Sequence, residues 1–220
     1  MEPTHLSGDN VMYTLYGSKG SGSAAIEVAL ERCNASFNVV RASSWEPDSA
    51  LEDLERINPL RQIPTLVLPD GTVMSESAAI LIHLSLVFPE SRLLPDSPNR
   101  RAQSLRGLVY IAANCYAAVS VSDYPERWST NPDEAAINSV RTAARAQLHR
   151  HWEIFADLFS ASPFFAGERP GALDILAAVI SKWSGTRAHL KTARPDFLRT
   201  LHTIEKHPDV ATVFSRHWDA

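Results

Sequence analysis

The chain has 220 residues, of which 45% are hydrophobic and 21% charged. That balance supports a buried core and excludes a disordered segment. With 21 Lys+Arg against 25 Asp+Glu the net charge is −4, which lacks the basic footprint of a nucleic-acid binder and disfavours anionic membranes. The two cysteines, Cys33 and Cys115, cannot make a disulfide framework, and no C-x-x-C pair or Cys/His spacing suggests zinc or another metal.

Met1 to Asn10 is polar, without the apolar region of a signal peptide. The apolar stretches carry polar breaks and fall short of the ~18 residues of a membrane span, so a cytoplasmic protein is expected. Val11 to Tyr16 predicts a strand. The loop Gly17 to Ser23 leads into a helix with Ile26, Ala29, Leu30 and Cys33 on one face. Phe37 to Val40 predicts a second strand. Ser49 to Ile57 predicts a helix that Asn58-Pro59 ends. Thr65–Leu68 and Thr72–Met74 pair across the turn Pro69-Asp70-Gly71. Glu76 to Val87 predicts a helix with Ala79, Ile80, His83, Leu84 and Val87 on one face. The order βαβ, α, β-hairpin, α implies an α/β sheet whose first two strands are parallel.

Leu93 to Asn99 carries two prolines and reads as a linker. Beyond it strands vanish. Helices are predicted over Arg100–Val121, Pro132–Ser160, Gly171–Trp183, Pro195–Lys206 and Pro208–Trp218. Asn131 is expected as the N-cap of the second, with Pro132 at its first position and Glu134 completing a capping-box-like start. The expected domains are therefore 1–92, α/β, and 100–220, all-helical, joined by 93–99.

Three segments carry candidate chemistry. Arg61 to Thr65 reads R-Q-I-P-T. Pro64 is either a plain strand-start proline or follows a cis Ile63-Pro64 bond, which would offer the main chain of Ile63 to a peptide-like ligand. Ser75 to Ile80 reads S-E-S-A-A-I. These polar residues either cap the helix or hold an α-amino acid head group, Ser77 and the helix N-terminus taking its carboxylate and Glu76 its ammonium. Gly17 to Ser23 reads G-S-K-G-S-G-S, which is neither a P-loop nor G-x-G-x-x-G. It is either a flexible turn or a helix start offering hydroxyl and N–H groups to a developing anion.

Taken in order, Y-G-S-K-G-S-G-S-A-A-I-E-V-A-L, N-P-L-R-Q-I-P-T-L, D-G-T-V-M-S-E-S-A-A-I-L-I-H-L and F-F-A-G-E-R-P-G-A-L-D-I-L-A-A-V resemble the soluble glutathione transferases, especially bacterial members. The resemblance implies a thioredoxin-like N-terminal domain, an all-α C-terminal domain, a homodimer and a detoxifying transferase that uses glutathione as co-substrate. It also implies that Ile63, before cis Pro64, bonds the cysteinyl part of glutathione, that Gln62 lies near its backbone or glycyl end, and that Glu76 and Ser77 hold the γ-glutamyl group. A hydroxyl at the start of the first helix would hold the thiol as thiolate, the nucleophilic form. Gly22 aligns with the cysteine that one bacterial class carries there. The candidates become Ser23 first, Ser21 second, with Ser18 a third and Tyr16, in the first strand, below them. Asp174 reads as structural, at a helix start where the family often has Ser or Thr in place of Gly171.

For the second substrate the fourth helix and the loop after it offer Tyr110, Asn114, Tyr116, Tyr124 and Trp128, as pocket lining or as core. His149 and His151, at alternate positions, point to different faces of a helix and do not make a metal site. Three functions compete: glutathione transfer to a small electrophile, glutathione-dependent disulfide or peroxide reduction or isomerisation, and a non-catalytic glutathione-binding or regulatory protein.

Overall fold

The structure, a computed structural model, describes residues 12–218. Val11, expected to open the first strand, and the polar Met1–Asn10 lie outside the described residues. Strand β1 (Met12–Gly17) is central. It pairs in parallel with β2 (Ser36–Arg41) and antiparallel with β3 (Thr65–Val67), which pairs antiparallel with β4 (Val73–Met74), in the order β2-β1-β3-β4. The parallel pair needs a crossover, and helix α1 (Ser23–Arg32) supplies it. Helix α2 (Leu51–Ile57) precedes β3, and α3 (Ser77–Val87) follows β4. This is the expected thioredoxin-like arrangement with its mixed sheet.

Period-2 alternation sets the faces of β1. Tyr13, Leu15 and Gly17 are buried, while Met12, Thr14 and Tyr16 are exposed or half-buried. Leu15 stands opposite Val39 and Leu66 and shares one core with Ile26, Leu30, Ile80 and Leu84 of α1 and α3. Truncating it to Ala would cost about 2–5 kcal/mol. At the hairpin, Gly71 adopts φ +87° and the Asp70 carboxylate accepts the Thr72 N–H, as a Pro-Asp-Gly turn requires.

The helical half opens with α4 (Pro98–Tyr110), which passes through a π-helical turn (Ile111–Tyr116) into α5 (Ala117–Asp123). The run is continuous, as expected over 100–121, but the π-helical turn within it was not expected. By length and apolarity the run Pro98–Asp123 would pass as a membrane span, contrary to expectation, but Leu108, Ile111, Cys115 and Val119 are buried in the protein core. Helix α6 (Glu134–Leu158) starts at Asp133 as N-cap, not at Asn131. The Asn131 side chain instead accepts the Asp133 N–H at 3.0 Å, closing a turn ahead of the helix. Helices α7 (Ala172–Ile180), α8 (Thr186–Ala193), α9 (Pro195–Lys206) and α10 (Pro208–His217) follow. Helix α8 was not expected.

Every residue of α7 is buried, as befits a helix apolar on all sides. It packs on α1 and α3 and on α4 and α9, so it joins the two halves through one continuous core. Asp174 in its first turn is fully buried. Its carboxylate accepts the N–H groups of Phe165 at 2.9 Å, Ala166 at 3.1 Å and Gly171 at 2.9 Å. Burial pushes this carboxyl up to about 6, against the pull of those donors. A side chain at Gly171 has no room: a Cβ would lie 2.6 Å from Ala166 Cβ and 2.7 Å from the Leu93 carbonyl. A Ser or Thr cap is thus excluded by packing.

Candidate functional site

A cleft of about 1070 Å³ runs between the loops at one end of the sheet and the face of the α4–α5 run. From the sheet side come Gly20 to Gly22, the Ser43–Trp45 loop, Leu60 to Pro64 and Ser75 to Ala78; from the helical side Asn114, Tyr116, Tyr124, Trp128, His151 and Trp183. Gln62, Ile63, Pro64, Glu76 and Ser77 are therefore brought to one place. Four of the five expected second-substrate residues stand opposite them.

Tyr110 is the fifth, and it is not there. It packs edge-on and tilted against Phe155 and Phe159 with centroids 5.9 and 6.0 Å away, and its hydroxyl donates to the His151 carbonyl at 3.0 Å. It belongs to the helical core. Tyr124 carries the Arg127 guanidinium 4.1 Å above its ring, and Trp128 is 61% exposed.

Helix α3 begins without a side-chain cap. Its N-cap, Glu76, makes no capping bond and holds φ +66°, a region costly for a residue with a Cβ. The Ser77 hydroxyl is buried and makes no hydrogen bond of good geometry among the described residues. Capping, the plain explanation of S-E-S, is not what these side chains do here. Ile63 precedes a cis peptide bond to Pro64. It lies ahead of β3, outside the paired register, so the sheet does not use its main-chain groups. Arg61 lines the same wall with φ +54°. Sequence reasoning missed it, because nothing in R-Q-I-P marks a positive φ.

The serine loop turns inward. Ser18 donates to Glu46 Oε1 at 2.6 Å, the main reason that carboxyl is held below the usual range, with Arg41 adding to it. Ser21 Oγ donates to the Ser18 carbonyl at 2.8 Å and lies 2.9 Å from Ser23 Oγ. Ser23 is fully buried against Gly17. Of the catalytic candidates the cleft is lined by Ser21 and not by Ser23 or Tyr16. Ser23 is enclosed because Gly17 leaves space beneath it. Tyr16 lies on the half-buried face of β1, opposite the face that meets α1.

His217, near the C-terminal end of the described chain, also holds this loop. Its Nδ1 accepts the Gly20 N–H at 3.1 Å, and its Nε2 therefore donates to Glu27 at 2.8 Å. Nothing local in the sequence could have linked positions 20 and 217. His149 stacks on His189 at 4.4 Å, while His151 lines the cleft. Among the described residues no group of His, Cys, Asp or Glu is placed to hold a metal.

Residues 23–85 match the glutathione S-transferase N-terminal domain. The chain is 28% identical over 175 residues to the uncharacterised GST-like protein YncG of Escherichia coli K12, covering 78% of this chain and 82% of that one. It is 35% identical over 94 residues to a probable maleylacetoacetate isomerase of Caenorhabditis elegans, covering 43% and 42%. Among solved structures, a glutathione transferase homolog from Sulfitobacter with bound glutathione superposes with a TM-score of 0.77 at 21% identity, covering 93% of this chain and 98% of that one.

Proposed function

We propose that this chain, which belongs to the glutathione transferase family by its N-terminal domain and its fold, binds glutathione in the cleft and presents the thiolate to a small electrophile. The observation that carries the reading is the uncapped start of α3. There a carboxylate that caps nothing, on a strained backbone, and a buried hydroxyl without a well-formed hydrogen bond among the described residues face one cleft. A γ-glutamyl head group supplies what both lack. Its ammonium would pair with Glu76 and its carboxylate with Ser77 Oγ and the first N–H groups of the helix. The unpaired main chain of Ile63 would take the cysteinyl unit, and Gln62 would lie toward the glycyl end. The sulfur then falls near the start of α1, whose positive end favours an anion. In transfer, the thiolate forms a C–S bond and the leaving group departs with the bonding electrons.

Asn114, Tyr116, Tyr124 and Trp128 would receive the electrophile, whose class their aromatic surface sets as apolar with a few hydrogen bonders. Isomerisation is the second reading, favoured by the match over 94 residues to an isomerase. A protein thiol in a disulfide exchange is disfavoured, since Cys33 and Cys115 are both buried and neither lines the cleft. Assay against aryl halides, epoxides, a cis-dienoic acid, hydroxyethyl disulfide and cumene hydroperoxide separates these readings. Retention on immobilised glutathione with no turnover anywhere would leave a binding protein.

The proposed assembly is a homodimer through α3 and the α4–α5 run. Leu86 and Val87 on α3 and Val109 on α4 are 69%, 49% and 57% exposed in the single chain, an apolar surface that a second copy would cover. Light scattering should give twice the chain mass at micromolar concentration; the mass of one chain would overturn the assembly.

A further inference from the structure

The N-cap of helix α1 is Gly22, which offers no side chain, and another group stands in its place. A Cβ built on Gly22 would lie 2.3 Å from Tyr116 Oη and 3.3 Å from Pro64 Cδ. The phenol thus occupies the position from which a side chain at 22 would act. It is delivered there by the last residue of the π-helical turn Ile111–Tyr116, a device that re-aims side chains and is frequent at functional sites. Its ring stacks on Trp183 at 5.8 Å and 28°. Its hydroxyl neighbours Glu76 and Ser77, yet Ser77 Oγ makes no bond of good geometry.

The competing donors are committed elsewhere. Ser18 donates to Glu46 and Ser21 to the Ser18 carbonyl, and Ser23 faces Ser21 and Ser18. The amides of Gly20, Ser21, Ser23, Ala24 and Ala25 all have protein acceptors. Only the Gly22 N–H in this turn is left without one among the described residues.

We propose that Tyr116 Oη, together with the Gly22 N–H, donates the hydrogen bond that holds the glutathione sulfur as a thiolate. This rests on the cleft being a glutathione site. The thiol proton leaves to solvent and the phenol keeps its own. Burial, reinforced by the Glu76 carboxylate, pushes the phenol up and keeps it a donor. The hydroxyl therefore comes from the helical domain, and Gly22 is the space that admits it.

The test is the ultraviolet thiolate absorbance of bound glutathione against pH, with affinity measured in parallel by calorimetry. In Tyr116→Phe, which keeps the stacked ring, the bound thiol pKa should rise by about one to two units, the equivalent of one charge-assisted hydrogen bond. That is an about ten- to a hundredfold smaller ratio of thiolate to thiol at any given pH, with glutathione affinity in the acid range unchanged. Ser23→Ala should not move the thiol pKa. Gly22→Ala displaces the phenol, so it should raise the thiol pKa in the parent protein and add nothing further in the Tyr116→Phe background. Normal glutathione binding with an unmoved thiol pKa in Tyr116→Phe, or a rise confined to Ser21→Ala, overturns the proposal. Absence of glutathione binding by the parent protein sinks the cleft assignment itself, and this proposal with it.

Discussion

Replacing Asp174 by Asn preserves shape and removes a charge from a site where three main-chain donors converge. Oδ2 accepts from Ala166 and Gly171, and Oδ1 from Phe165. The least damaging amide rotamer keeps its oxygen toward the first pair and turns its NH₂ against the Phe165 N–H. One buried donor is then orphaned, at about 1–3 kcal/mol. Asp174→Ala orphans all three, about 3–9 kcal/mol by the same reckoning, which reaches the ~5–15 kcal/mol that holds a domain folded. The pH dependence has the opposite sign to an ordinary ion-paired carboxylate. Asp174 is raised from 3.8 to about 6 in the folded protein, so the folded state binds a proton that the unfolded chain has released. Its contribution is greatest below 3.8, is lost as the pH rises through that window, and is constant above it. The window spans roughly two pH units at about 1.4 kcal/mol each, so the change is about 3 kcal/mol. Asn does not titrate. Urea unfolding followed by circular dichroism, run on both proteins from about pH 4 to about pH 6.5, should show the stability advantage of the parent shrinking by that amount and then levelling off. A pH-independent difference, or an Ala variant as stable as the parent, would refute this account of the carboxyl.

Glu76→Ala and Ser77→Ala should each weaken glutathione binding about tenfold to about 150-fold, the loss of one charge-assisted hydrogen bond, with little change in melting temperature because neither caps α3; calorimetric titration decides it, and undiminished affinity counts against the head-group assignment. Gly171→Ser, despite restoring a good N-cap residue, should destabilise the fold by about 1–3 kcal/mol, because its Cβ meets Ala166 and the Leu93 carbonyl. A variant that melts higher than the parent would show that the loop yields.

The order of elements was legible because local chemistry and tertiary structure agree. Period-2 alternation in β1, the Pro-Asp-Gly turn and the Asn-Pro stop after α2 each have one favoured reading, and the core needs the same one. Where two local readings are nearly equal, the rest of the molecule decides. Asn131 and Asp133 are both good caps, and the turn that Asn131 closes on Asp133 moved the start of α6 by two residues. Helix α8 escaped because only Thr186 and Leu190 of its eight residues are buried, too few to print a period. The π-helical turn has no sequence signature at all, and Tyr116, which reaches Gly22, is its last residue.

At the candidate site the legible part lies in contiguous strings, Q-I-P and S-E-S, whose backbone and side chains act within a few residues of one another. The illegible part is the thiol-facing group, and the reason is physical. Around a helix start, which hydroxyl faces outward depends on what packs beneath it. Gly17 leaves a space that Ser23 fills, so the serine that heads the helix in sequence is the one enclosed in the structure. Gly22 has the complementary effect. In the sequence it reads as a missing cysteine and hence a missing function. In the fold the same missing side chain leaves space beside an amide of α1 that has no partner among the described residues, and a phenol from 94 positions downstream reaches into it. Any larger residue at 22 would evict Tyr116, so the two positions are coupled, and neither can be interpreted from its own neighbourhood in the chain.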